Sequence, residues 1–152
     1  MNAEQTLNDG GITLPELPRR LANYVWYKQV GDLVWISGQG SRKPDGSFVT
    51  GKVGQDHSVE DGYGHARLVG LDLLAVAQDV AGMLGKVETV KVVGLVNAVP
   101  EFAVHGKVID SCSDLLVEVL GERGRHARPS CGVESPPGQI PVEIEAGVRA
   151  SS

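Results

Sequence analysis

Cysteine is scarce, with only Cys112 and Cys131 among 152 residues. Two thiols build no disulfide framework, so the expectation is a reducing compartment. Aromatic residues make up 5%, which leaves little to form a stacking surface for single-stranded nucleic acid. Positive charge is outnumbered, with 14 Lys and Arg against 19 Asp and Glu and a formal net charge of -5. Such a chain has no general attraction for phosphate backbones, which argues against a nucleic-acid partner. No run approaches the roughly 20 apolar residues that span a bilayer. The N-terminus carries Glu4 and Asp9 and lacks the apolar core of a secretory signal. A cytoplasmic protein with no membrane attachment is therefore expected. The four histidines show no pairing at metal-ligand spacing, and neither cysteine has a near partner, so no metal site is expected. A phosphate loop and a Gly-x-Ser-x-Gly elbow are also missing.

What is present suits one globular domain. Apolar residues make up 41% of the chain, and its length is that of a single core. Residues 1–22 are polar and punctuated by Gly10-Gly11, Pro15 and Pro18, which reads as an arm with at most a short helix. The domain then runs over 23–152. Tyr24–Val30 and Leu33–Ile36 flank Gly31-Asp32, a hairpin signal. A short strand is predicted over Phe48–Val53. Ser58 caps a long helix with the stripe Val69, Leu73, Val76, Val80 and Leu84, and Gly85 is its expected end. Its glycines are expected to let it lie close on a sheet. Glu88–Val96 reads as a strand, and Pro100 is expected to open a second helix with the stripe Phe102, Ile109, Cys112, Leu116 and Val119. A short run near Cys131 and a last strand over Ile140–Val148 complete the chain. The order predicts an α+β fold, a mixed sheet with both helices on one face.

Three features point to a site. In the hairpin, Tyr24, Trp26 and Val30 alternate with Val25 and Tyr27, so both faces carry large apolar groups. Helices on one side cannot cover both, and a homo-oligomer follows. In the last strand, Glu143 and Glu145 share the face opposite Ile140, Val142, Ile144, Ala146 and Val148. Two carboxylates there make either a solvated surface or a general base in a pocket between subunits. Arg123, Arg125, His126 and Arg128 form a basic loop in an acidic chain. They read either as scattered surface charge or as a device for capturing a small carboxylate, which the planar guanidinium binds bidentately. Cys112 belongs to the core stripe, and Cys131 reads either as a reactive thiol or, as expected of most cysteines, as a buried structural one.

Leu33-Val-Trp-Ile-Ser-Gly-Gln, with Tyr24 thirteen positions before Ser37, resembles the YjgF/RidA family of imine and enamine deaminases. So does His126-Ala-Arg-Pro-Ser-Cys-Gly-Val, followed fifteen residues after Arg128 by Glu143 in Val142-Glu-Ile-Glu-Ala. The resemblance covers residues 23 to 149 and suits a longer subgroup. It implies a chorismate-mutase-like fold and a homotrimer with clefts between subunits. It also implies hydrolysis of small 2-imino or 2-enamino acids to 2-keto acids and ammonia without cofactor or metal. In that pattern Arg128 binds the substrate carboxylate and Glu143 positions or deprotonates water. Tyr24 closes the pocket, while Ser37 and Gly38 lie near the reacting carbon. Asp110 is the nearest counterpart of a ligand-contacting asparagine in the family, with Ser111 next if the loop has one extra residue, and Ser130 stands where the deaminases commonly have cysteine. Pro129 follows Arg128. The alternative reading is a non-catalytic binding module for 2-keto acids, with RNA cleavage a distant third.

Overall fold

The structure is a computed structural model that describes residues 2–17 and 22–151. Its elements are α1 (Ala3–Asp9), β1 (Tyr27–Val30), β2 (Leu33–Gly40), α2 (Val59–Ala81), β3 (Val87–Asn97), α3 (His105–Leu120), β4 (Ser130–Val133) and β5 (Val142–Ala150). The strands form one mixed sheet in the order β1-β2-β5-β3-β4. Neighbours are antiparallel except β3 and β4, which run parallel and are joined by α3 as a crossover helix. Among the described residues, no helix is long and apolar enough to cross a membrane.

Both long helices pack on the same sheet face, α2 over β5 and β2, α3 over β3 and β4. Burial alternates along β5, with Val142, Ile144, Ala146 and Val148 enclosed against the helices, as the period of two requires. The glycines of α2 act differently from expectation. Gly62 faces Val108, and Gly70 faces Cys112 and Leu115, so they bring α2 close to α3 rather than to the sheet. Ser58 caps α2 with a full capping box through Asp61. Cys112 is buried among these contacts, and burial pushes its thiol up to about 12.

Several predicted boundaries move, each for a local reason. The helix α2 ends at Gly82, not Gly85, because Gly82 takes the left-handed conformation at φ 75° and donates to Gln78. Leu84 still reaches the core, from a separate 3-10 turn over Leu84–Lys86. Pro100 does not open α3. It sits inside a turn closed by the Phe102 N–H on the Val99 carbonyl, and the helix begins at His105. Phe48–Val53 forms isolated bridges in place of a strand, since Gly51 at φ 122° breaks the extended run. The first strand starts at Tyr27, leaving Tyr24 and Trp26 before it, and the last at Val142. The arm contributes more than expected: Ala3 and Leu7 of α1 are part of the core, and α1 packs on α3.

The second sheet face has no helix. Cross-strand partners share a face, so Lys28, Val30, Leu33 and Trp35 lie there with Glu143 and Glu145. Tyr27, paired with Ile36, lies on the helix side, and Trp26, before the strand begins, also packs on the core rather than sharing the open face with Val30 as the alternation predicted. Val30 is 64% exposed and Trp35 55% exposed, with the indole resting on Gly147.

Two glycines test this packing. A Cβ on Gly94 would stand 2.6 Å from Ile109, whereas one on Gly64 of α2 meets nothing within 4 Å. Gly94→Ala should lose about 1–3 kcal/mol by overpacking. Gly64→Ala should gain up to about 1 kcal/mol from helix propensity. Urea denaturation of both variants checks the pair.

Candidate functional site

The residues singled out in the sequence fall into two groups, on opposite sides of the sheet. The first group lies on the open face. The β2–β5 ladder is irregular between Ile36 and Gln39, so Ser37 and Gly38 sit at a break in the pairing. The Ser37 hydroxyl donates to the Val25 carbonyl at 2.7 Å, and its backbone N–H donates to the Trp26 carbonyl at 2.9 Å. These two bonds hold the segment carrying Tyr24 against the edge of the sheet. They also commit the Ser37 N–H, so its remaining capacity is as an acceptor. Tyr24 meets Trp26 edge to face. A shallow cavity of about 480 Å³ opens here, lined by Tyr24, Lys28, Trp35, Ser37 and Glu145, among others.

Glu143 is not in this lining; it lies two residues before Glu145 on the same face of β5, against Gly38. A Cβ on Gly38 would stand 2.8 Å from Glu143 Oε1. Gly38 thus makes room for the carboxylate, a role beyond the ligand contact expected of it. Glu143 is half-buried, and burial, aided by the like charge of Glu145, raises its pKa above the ordinary carboxylate value. Glu145, two residues on, is exposed.

The second group lies at the β4 edge on the helix side. Arg128 reaches α3, where its Nη1 donates to Ser113 Oγ at 2.9 Å and its Nη2 to Asp110 Oδ1 at 2.9 Å. A weaker Nη2 contact runs to the Gly106 carbonyl at 3.5 Å. The Gly124 carbonyl can only accept, so His126 Nδ1 donates to it at 2.6 Å. With neutral imidazole, Nε2 then accepts from the Ser113 hydroxyl at 2.9 Å. Burial, with the Arg128 cation beside it, lowers the His126 pKa and favours that neutral form. Ser113 was missed in the sequence, although it stands one helical turn beyond Asp110, and Gly106 one turn before. Ser130 points into the layer between β4 and α3, where its hydroxyl is buried without a partner among the described residues.

The basic loop is not a free cationic patch. Arg123 donates to the Gly85 carbonyl, Arg125 to Glu122, and Arg128 to Asp110. Cys131 corrects another expectation. Its partner Leu95 pairs with Glu143, so this thiol is exposed on the open face rather than buried.

The raised pKa of Glu143 has a stability consequence. The folded carboxyl holds its proton to higher pH than the unfolded one, so the charge costs stability increasingly as pH rises above the ordinary carboxylate range. Glu143→Gln should therefore raise the urea midpoint at pH 7, and the gain should vanish at pH 4. An unchanged midpoint at both values would show that the carboxylate is as well solvated folded as unfolded.

With this geometry in hand, comparison with known proteins places the chain. Residues 4–135 match the family described as "YjgF/chorismate_mutase-like, putative endoribonuclease". The Trypanosoma cruzi protein TCP17 is 35% identical over 144 residues, covering 93% of this chain and 90% of its own. A crystal structure of a protein with unknown function from Agrobacterium tumefaciens is 38% identical and superposes with a TM-score of 0.88, covering 98% of this chain and 94% of the other. A "putative endoribonuclease" from Shewanella oneidensis is 29% identical, with a TM-score of 0.92 over 98% and 99% of the two chains. The mixed sheet, its single helix layer and these matches agree, and the chain belongs to the YjgF/chorismate mutase-like family.

Proposed function

We propose that the protein hydrolyses small 2-imino acids to 2-keto acids and ammonia in clefts between the subunits of a homotrimer. The observation that carries the reading is Glu143, a half-buried carboxylate of raised pKa, seated beneath Gly38 on an uncovered sheet face. A carboxylate poised closer to neutrality suits proton transfer to and from water. Water adds across the C=N bond, its oxygen joining C2 while one proton passes through Glu143 to nitrogen. The carbinolamine then collapses. Its hydroxyl proton returns to Glu143 and on to the amine, the C–N bond breaks, and the C=O bond forms. Arg128 holds the substrate carboxylate.

Subunit contact is built into this reading. Cys131 and Glu143 lie two strand spacings apart, and Arg128 precedes Cys131 by three residues. That separates the Arg128 and Glu143 backbones by roughly 14 Å, with side chains on opposite faces. No ligand the size of an imino acid bridges them within one chain. Arg128 at the β4 edge of one protomer serves the open face of the next, which also covers Trp35 and Leu33. RNA cleavage has the family's description and a relative's name behind it, but the net charge of -5 and the 5% aromatic content weigh against it.

The test uses an imino acid generated in situ by an amino-acid oxidase, with light scattering to establish the assembly. Glu143→Gln should lower the rate by roughly 10²–10⁴-fold, the usual worth of an acid–base group. Glu145→Gln should have a smaller effect. Arg128→Ala and Glu143→Gln chains, each inactive alone, should regain activity in about a quarter of clefts when refolded together in equal amounts, because each cleft draws on two chains. No recovery in a verified mixed trimer would place both residues in one chain's cleft and remove the composite site. A stable monomer would remove the cleft altogether.

A further inference from the structure

Asp110 occupies the position of a competitor to the substrate carboxylate, yet its geometry suits a different role. Its Oδ1 accepts from Arg128 Nη2 at 2.9 Å, and the aspartate side chain is 52% exposed while the arginine is 19% exposed. One carboxylate oxygen is enough for this bond, so Oδ2 retains its lone pairs. On the arginine, Ser113, Asp110 and the loosely held Gly106 carbonyl engage three of five N–H groups. The Nε–H and one Nη1–H have no partner among the described residues. The pair therefore keeps unspent donors on the arginine and an unspent acceptor on the aspartate. Lys107 borders a cavity of about 350 Å³ with Asp110 but makes no ion pair with it among the described residues.

We infer that Asp110 is a specificity-determining residue that selects ligands bearing a protonated nitrogen next to their carboxylate, and disfavours the corresponding keto acids. The inference rests on the reading that Arg128 binds the substrate carboxylate. The physical reason is the donor and acceptor inventory. An ionised carboxylate only accepts, and a ketone oxygen only accepts, so a 2-keto acid sets two acceptors against each other beside Arg128. An iminium nitrogen carries N–H donors and positive charge, and bonds Asp110 while its carboxylate bonds Arg128. The Arg128–Asp110 pair is then complementary to a zwitterion, and no charge is left uncompensated. The same arrangement turns the reaction product into a poorer ligand than the substrate, because hydrolysis replaces the donor nitrogen with an acceptor oxygen.

The experiment is calorimetric titration of the assembled protein with 2-aminobutyrate, whose ammonium stands in for the iminium, and with 2-oxobutyrate. Wild type should favour the amino acid by roughly 10- to 100-fold, the worth of one hydrogen bond to a charged group. Asp110→Asn is nearly isosteric at a half-exposed position. It should gain affinity for 2-oxobutyrate and lose most of the preference, with an unchanged melting temperature. Arg128→Ala should lose both ligands. Equal or tighter binding of 2-oxobutyrate by wild type, or an undiminished preference in Asp110→Asn, overturns the inference and leaves the carboxylate site standing. Failure of wild type to bind either compound overturns both. A preserved preference without imine turnover supports the inference and removes only the hydrolase reading.

Discussion

The site depends on β5 lying between β2 and β3 with helices on one side only. One face of β5 supplies Val142, Ile144, Ala146 and Val148 to the core, and the other supplies Glu143 and Glu145 to the open face. A strand of period two cannot bury one set without presenting the other. The acidic residues are therefore held in register by the same packing that stabilises the fold. Gly38, at the break in the β2–β5 ladder, then decides how deeply Glu143 sits.

The α3 crossover organises the second group of candidate residues. Because β3 and β4 run parallel, their connection must cross the sheet as a helix, and α3 does so. The segment entering β4 consequently passes beside α3, where Gly106, Asp110 and Ser113 present an acceptor carbonyl, a carboxylate and a hydroxyl to Arg128. His126 completes the chain through Ser113 and ends on the Gly124 carbonyl. Arg128 is thereby oriented by a fully polarised network, and its charge is balanced by Asp110.

Much of this was legible in the sequence. The amphipathic stripe of α2, the cap at Ser58, the hairpin around Gly31-Asp32 and the alternation along β5 all follow from local periodicity and turn chemistry. That Cys112 is core and that Glu143 faces away from the core follow equally from spacing. The basic loop was visible as a cluster, and Arg128 as one of its members. The boundary errors at Gly85 and Pro100 have a common origin: several residues near each end carry the same stop or start chemistry, and tertiary contacts choose among them.

The sequence by itself determined which side chains share a face within the regular elements, as along β5, because that depends only on the helical and strand periods along one chain; Trp26, which precedes β1, escaped it. It also determined that one apolar sheet face would be left without a helix. The tertiary structure alone decided that Arg128 and Glu143 lie on opposite sides of the sheet, that Asp110 pairs with Arg128, and that Gly38 makes room for a carboxylate 105 residues away. These are contacts between segments distant along the chain. They depend on strand order and on the path of the crossover helix, and no local period carries that information.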